Sequence, residues 1–123
     1  MRRRGFTLIE LLVVLAIIAT LLTLAVPRYF GSVEKSKEAV LRENLNQMRD
    51  ALQKYYGDKG KYPDSIEALA TEKYLRKMPV DPVTESTTTW VVIPPDDPKK
   101  GNVYDVRSGA QGKATDGSVY GDW

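Results

Sequence analysis

The sequence predicts an α+β protein: a long N-terminal α-helix, apolar in its first half and amphipathic in its second, packed against a small C-terminal antiparallel β-sheet. Three observations predict it. Residues 6 to 26 form an apolar run of 21 positions. Residues 41 to 55 place apolar side chains at helical spacing, and residues 87 to 107 hold two β-branched or aromatic stretches split by a proline-rich turn. The 123 residues leave room for one small domain beyond the helix.

The apolar run, FTLIELLVVLAIIATLLTLAV, carries one charge, Glu10, and three hydroxyls, Thr7, Thr20 and Thr23. A helix of that length rises ~30 Å, enough to span the hydrocarbon core of a bilayer. Arg2, Arg3 and Arg4 precede it, and basic residues in that position stay on the cytoplasmic side, so the rest of the chain lies across the membrane. A secretory signal has a shorter apolar region followed by a small-residue cleavage site. Here the small residue, Gly5, comes before the apolar run. Cleavage after it removes the arginines and makes the hydrophobic segment the new N-terminus. The chain therefore divides into a leader (1–5), an apolar helix (6–26), an amphipathic helix (27–56) and a head (57–123).

Glu10 is the anomaly in this segment. A carboxylate in hydrocarbon costs at least a few kcal/mol unless it is paired. Either it sits near enough to the helix start to reach the headgroups, or it is protonated in place, or it meets a cation at the same depth. The candidate cation nearest in sequence is the α-amine that cleavage creates at Phe6. That amine is four residues away, to be met within one chain or, with an axial shift, between neighbouring chains.

Pro27 removes a backbone donor, which predicts a kink or short melted stretch near Thr23 to Pro27. Beyond it Leu41, Leu45, Met48, Leu52 and Tyr55 mark one face of a helix, the seam on which a head would pack. The charged residues around them read as a solvated face, with Glu38–Arg42 and Asp50–Lys54 as i,i+4 pairs. A single helix from Phe6 to Tyr56 would be about 75 Å long.

Gly57 is expected to end the helix. Asp64 and Glu67 suggest a capping box for a short helix from Ser65 to about Thr71 that buries Ile66 and Leu69. A proline-pinned link, Tyr74 to Pro82, lies against the long helix. Thr87–Ile93 and Asn102–Arg107 are predicted strands, Ser118–Tyr120 a third, and Trp123 docks the end.

Composition removes several functions. With no cysteine and no histidine, disulfides, thiolate metal sites and the usual nucleophile–base pairs are out. The net charge of +2 belongs to the unprocessed chain; loss of three arginines leaves 15 basic side chains against 16 acidic ones, a net −1. No basic stripe with interleaved aromatics suggests nucleic acid. The alternative of a different class is a membrane-anchored binding module or enzyme on an uncleaved anchor, whose inventory would be carboxylates, lysines and hydroxyls without a recognisable catalytic spacing.

Gly5-Phe6-Thr7-Leu8-Ile9-Glu10, with its basic leader and apolar sequel, resembles the class III signal of the type IV pilin superfamily, which includes the pseudopilins of type II secretion. The resemblance implies that a prepilin peptidase cuts after Gly5 and methylates the amine of Phe6. It also implies that Glu10 pairs with the terminal amine of an adjacent subunit, and that Pro27 is the helix-loosening proline of many members. The implied partners are copies of the chain itself in a homopolymer, minor pseudopilins, an inner-membrane assembly platform and, before assembly, the lipid bilayer, with the head in the periplasm. The compact head and the missing cysteine pair favour a pseudopilin over a type IV pilus subunit.

The loop Ser108–Ser118 combines glycines with oxygen donors, and Asp105, Asp116 and Asp122 surround it. Calcium takes six to eight such oxygens. The loop is similar to the C-terminal calcium loop of major pseudopilins. That similarity implies Asp116, Ser118 and the main-chain carbonyl of Ser108 as ligands, with Gln111 standing where the family usually has an aspartate. The alternative is an ordinary hairpin turn at Asp116-Gly117.

Overall fold

The computed structural model describes residues 5–123; Arg2, Arg3 and Arg4 of the expected leader lie outside the described residues. The chain divides into two compact units, one ending at Glu34 and the other running Lys35–Trp123. The elements are a helix α1 (Leu8–Lys59), a one-turn helix α2 (Ala68–Thr71), strands β1 (Val91–Ile93) and β2 (Asp105–Arg107), and two 3₁₀ turns at Pro98–Lys100 and Tyr120–Asp122.

In the first unit every described residue through Ser32 is exposed. An uninterrupted apolar run leaves a helix no polar side to turn outward, so leucines and isoleucines cover its whole circumference. The hydroxyls of Thr20 and Thr23 fold back onto the carbonyls of Ala16 and Ala19, each at 2.8 Å. Both polar groups are thereby satisfied without water. The segment is long and apolar enough to cross a membrane, and none of it is buried within the protein. The melted stretch expected near Pro27 is not found: α1 stays helical through that residue. A proline removes one donor, and the hydrogen bonds of the flanking turns are enough to hold the helix.

In the second unit the predicted stripe is the core. Leu41, Leu45, Met48 and Leu52 are at most 1% exposed, and they pack with Ile66, Leu69, Trp90, Val103, Val106 and Tyr120. Tyr74, Leu75 and Met78 of the proline-pinned link lie against this core, half-buried. Strands β1 and β2 pair antiparallel, with Val92 opposite Val106.

Several local expectations change. Helix α1 passes Gly57 and stops at Lys59, because Gly60 takes the left-handed backbone at φ 72° that ends a helix. The capping box does not form: α2 starts at Ala68 with no side-chain cap, and the Asp64 carbonyl instead accepts the Asn102 amide at 3.0 Å. The first strand is shorter than Thr87–Ile93. Trp90 turns inward, and its indole N–H reaches the Pro79 carbonyl at 2.9 Å. The third strand is reduced to one bridge between Lys113 and Val119, followed by the 3₁₀ turn. Of the two helix ion pairs, Lys54–Asp50 forms at 3.1 Å, whereas Arg42 turns to Asp116 and Glu38 is buried.

Candidate functional site

Two places carry the residues singled out above, one at each end of the chain. Gly5, Phe6 and Thr7 are non-helical and exposed, and α1 begins at Leu8. The Thr7 hydroxyl accepts the Glu10 backbone N–H at 3.1 Å, which makes Thr7 the N-cap. The Gly5–Phe6 bond thus lies outside the hydrogen-bonded ladder of the helix, and a Cβ added at Gly5 would meet nothing beyond its chain neighbours within 4 Å. Glu10 is the acidic residue of the first turn, where the helix N-terminus favours a negative charge by about 0.3–1 kcal/mol. That is too little to hold a bare carboxylate in a dry environment. Thr7 was missed as a cap, although Thr7-Leu8-Ile9-Glu10 has the spacing of a capping box.

The C-terminal loop is built from α1 outward. Three charged residues border the apolar stripe, each three positions before a buried leucine: Glu38 before Leu41, Arg42 before Leu45, and Arg49 before Leu52. Each reaches the loop or the strand that leads into it. The Glu38 carboxylate accepts the Thr115 backbone N–H at 2.7 Å and the Thr115 hydroxyl at 2.8 Å. Arg49 donates to Asp105 at 2.9 Å, to the Val106 carbonyl at 3.0 Å and to the Trp123 main-chain oxygen at 2.6 Å. The Arg42 guanidinium lies 3.3 Å from Asp116 and 4.1 Å above the Trp123 ring.

Asp116 closes a tight turn. Its Oδ1 accepts both the Ser118 hydroxyl and the Ser118 N–H, the latter at 2.9 Å, and the Gly117 N–H reaches the Ala114 carbonyl at 3.0 Å. The Ser118 hydroxyl and backbone N–H, helped by Arg42, hold the Asp116 carboxyl below its usual range. The chain makes a tight turn at Asp116-Gly117, with Gly117 at φ 87°.

Two of the residues implied as calcium ligands, Asp116 and Ser118, are engaged with other side chains. Ser118 Oγ also accepts the Trp123 indole N–H at 2.7 Å. Ser108 is buried, and its hydroxyl donates inward to Asp81, itself fully buried and capped by the N–H groups of Val83 and Thr84. Gln111 is exposed and uncharged. Among the described residues, no group of three or more carboxylate, histidine or cysteine side chains is placed to hold a metal ion. With both Asp116 oxygens engaged and an arginine at its side, the donor set does not fit a calcium cage. The loop's glycines have other reasons to be there: a Cβ on Gly109 would sit 2.0 Å from the Thr89 carbonyl oxygen.

The sequence pairs Glu38 with Arg42 and sets Arg49 on a solvated face, and it gives Asp81 no role; the fold turns all four toward the head. Their signal was position, at the edge of the apolar stripe or next to a proline link, where charge faces a partner rather than water.

A fully exposed apolar helix headed by a non-helical Gly–Phe junction, with a small α+β unit after it, defines a pilin-like protein. Residues 1–26 match the model of the prokaryotic N-terminal methylation motif. The type II secretion system core protein G of Pectobacterium carotovorum subsp. carotovorum is 32% identical over 97 residues, covering 66% of this chain and 62% of that one. Core protein G of Pseudomonas aeruginosa is 34% identical over 101 residues, covering 67% and 71%. A type IV major pilin protein of Myxococcus xanthus is 38% identical over 63 residues, covering 51% of this chain and 29% of that one. The chain belongs to the type II secretion system core protein G family. It spans less than two thirds of the Pectobacterium relative and less than a third of the Myxococcus one. No solved structure matches it.

Proposed function

We propose that the chain is the polymerising structural subunit of a periplasmic pseudopilus that drives protein export by type II secretion. The observation that carries the reading is the exposed apolar helix opening on Gly5-Phe6-Thr7-Leu8-Ile9-Glu10 within a methylation-motif match. A prepilin peptidase cuts after Gly5 and methylates Phe6. The bilayer then acts as a reservoir for a single-pass subunit with its head in the periplasm. On extraction by the inner-membrane platform, apolar side chains exchange lipid for neighbouring helices. Minor pseudopilins are further partners in the filament.

Glu10 sets the register. In the filament core its carboxylate meets the terminal amine of a neighbouring copy, and a misplaced subunit leaves that charge unpaired in a dry environment, at several kcal/mol. An enzymatic role finds no support in the residues that the fold brings together.

The match to the Myxococcus pilin supports a second reading, a type IV pilus subunit. Electron microscopy separates the two, by long surface fibres against short periplasmic ones. Intact mass tests the shared core: protein purified from membranes should lack Met1–Gly5 and carry one added methyl. A full-length, unmethylated chain would refute it.

A further inference from the structure

We infer that the 108–123 loop of this chain closes without a metal, and that the Arg42 guanidinium supplies the positive charge a bound cation would give. Two of the three aspartates around the loop are paired with arginines, and the third, Asp122, is exposed. Asp105 has Arg49 at 2.9 Å, and Asp116 has Arg42 at 3.3 Å. Both arginines come from α1, so two carboxylates are matched by two fixed cations. A divalent ion at the same place would sit beside an arginine and a single carboxylate, with Gln111 adding no charge.

Two of the implied side-chain donors are already engaged within the protein. Asp116 Oδ1 is closed by Ser118, and Ser118 by Trp123. Arg42 stacks over the Trp123 ring, and that ring meets Tyr120 edge-on at 5.2 Å between centroids. Thr115, beside Asp116, is tied by two hydrogen bonds to Glu38, one turn before Arg42 on α1. The loop is thus fastened at Thr115, Asp116 and Trp123 to one face of one helix. Hydrogen bonds and an ion pair do here what a cation does when it gathers a loop around itself.

The test is thermal melting of the processed full-length protein in detergent, in millimolar calcium and in chelator, beside calorimetric titration with calcium alone. The metal-free loop gives the same melting temperature in both conditions and no saturable heat of binding. Arg42→Gln lowers the melting temperature by the same few degrees with and without calcium. Arg42→Lys keeps the charge but loses the planar face over Trp123, and falls between the two. A wild-type melting temperature that rises in calcium overturns the inference, as does one-site binding lost in Asp116→Ala. Arg42→Gln melting like wild type overturns it too. Processing and filament formation are separate readouts, so failure here leaves the pseudopilin reading in place.

Discussion

Leu15 and Leu45 lie on the same helix and meet opposite fates: Leu15 is 53% exposed and Leu45 is 1% exposed. The difference comes from what surrounds each leucine in sequence. Around Leu45 polar residues fill the other faces, so one stripe is left to bury and the head buries it. Around Leu15 apolar residues occupy every face, and no single domain of this size could cover them all. A helix that is hydrophobic all round needs a solvent other than water, which the proposed function supplies as lipid and then copies of the chain. The chain thus holds one completed hydrophobic surface and one left open.

Substitution should separate the two surfaces. Leu45→Ala is expected to destabilise the head by about 2–5 kcal/mol. Leu15→Ala should leave the melting of the same detergent-solubilised protein unchanged; circular dichroism on both variants checks this. Equal effects would erase the distinction.

Next in size is Arg49→Ala, which strips hydrogen bonds from Asp105 and from two main-chain oxygens. The expected loss is about 1–3 kcal/mol, read by chemical denaturation. Glu38→Gln, which puts an amide before the two Thr115 donors, should cost about 1 kcal/mol in the same assay.

The smallest effect belongs to the exposed clip between Lys59 and Glu72. Hydrogen bonds from Lys59 and then Tyr55 hold Glu72 below its ordinary 4.5, and the bond to Glu72 holds Lys59 above its ordinary 10.5. The Glu72 contribution is present above pH 4.5 and fades as pH falls through its lowered value. The Lys59 contribution is present below pH 10.5 and fades as pH rises through its raised value. Wild type should therefore melt slightly above Glu72→Gln near neutrality, with the gap closing at both extremes. A gap independent of pH would show that the ion pair is not its source.

The two surfaces also differ in how far they could be read in advance. The apolar run and the helical periodicity located the two halves of α1 and the buried stripe, and Ile66 and Leu69 are buried in the head without the capping box that suggested them. Periodicity failed where side chains competed with backbone ladders. Ser118 ties Asp116 and Trp123 together instead of continuing a strand, and the Asp64 carbonyl goes to Asn102 instead of leading into a capped helix. Local rules paired Arg42 with Glu38 because they see only one helix. Asp116 and Thr115, more than seventy residues away, took those partners instead. Thr7 was legible, since its spacing to Glu10 states the cap.

Filament assembly by Glu10→Val tests the open surface most directly. With peptidase and secretion apparatus present, the variant should be cleaved after Gly5 and remain in the membrane fraction, yet yield no sheared filaments by electron microscopy. Filaments of normal length and abundance from Glu10→Val would contradict the idea that this carboxylate sets the stacking of the apolar helices.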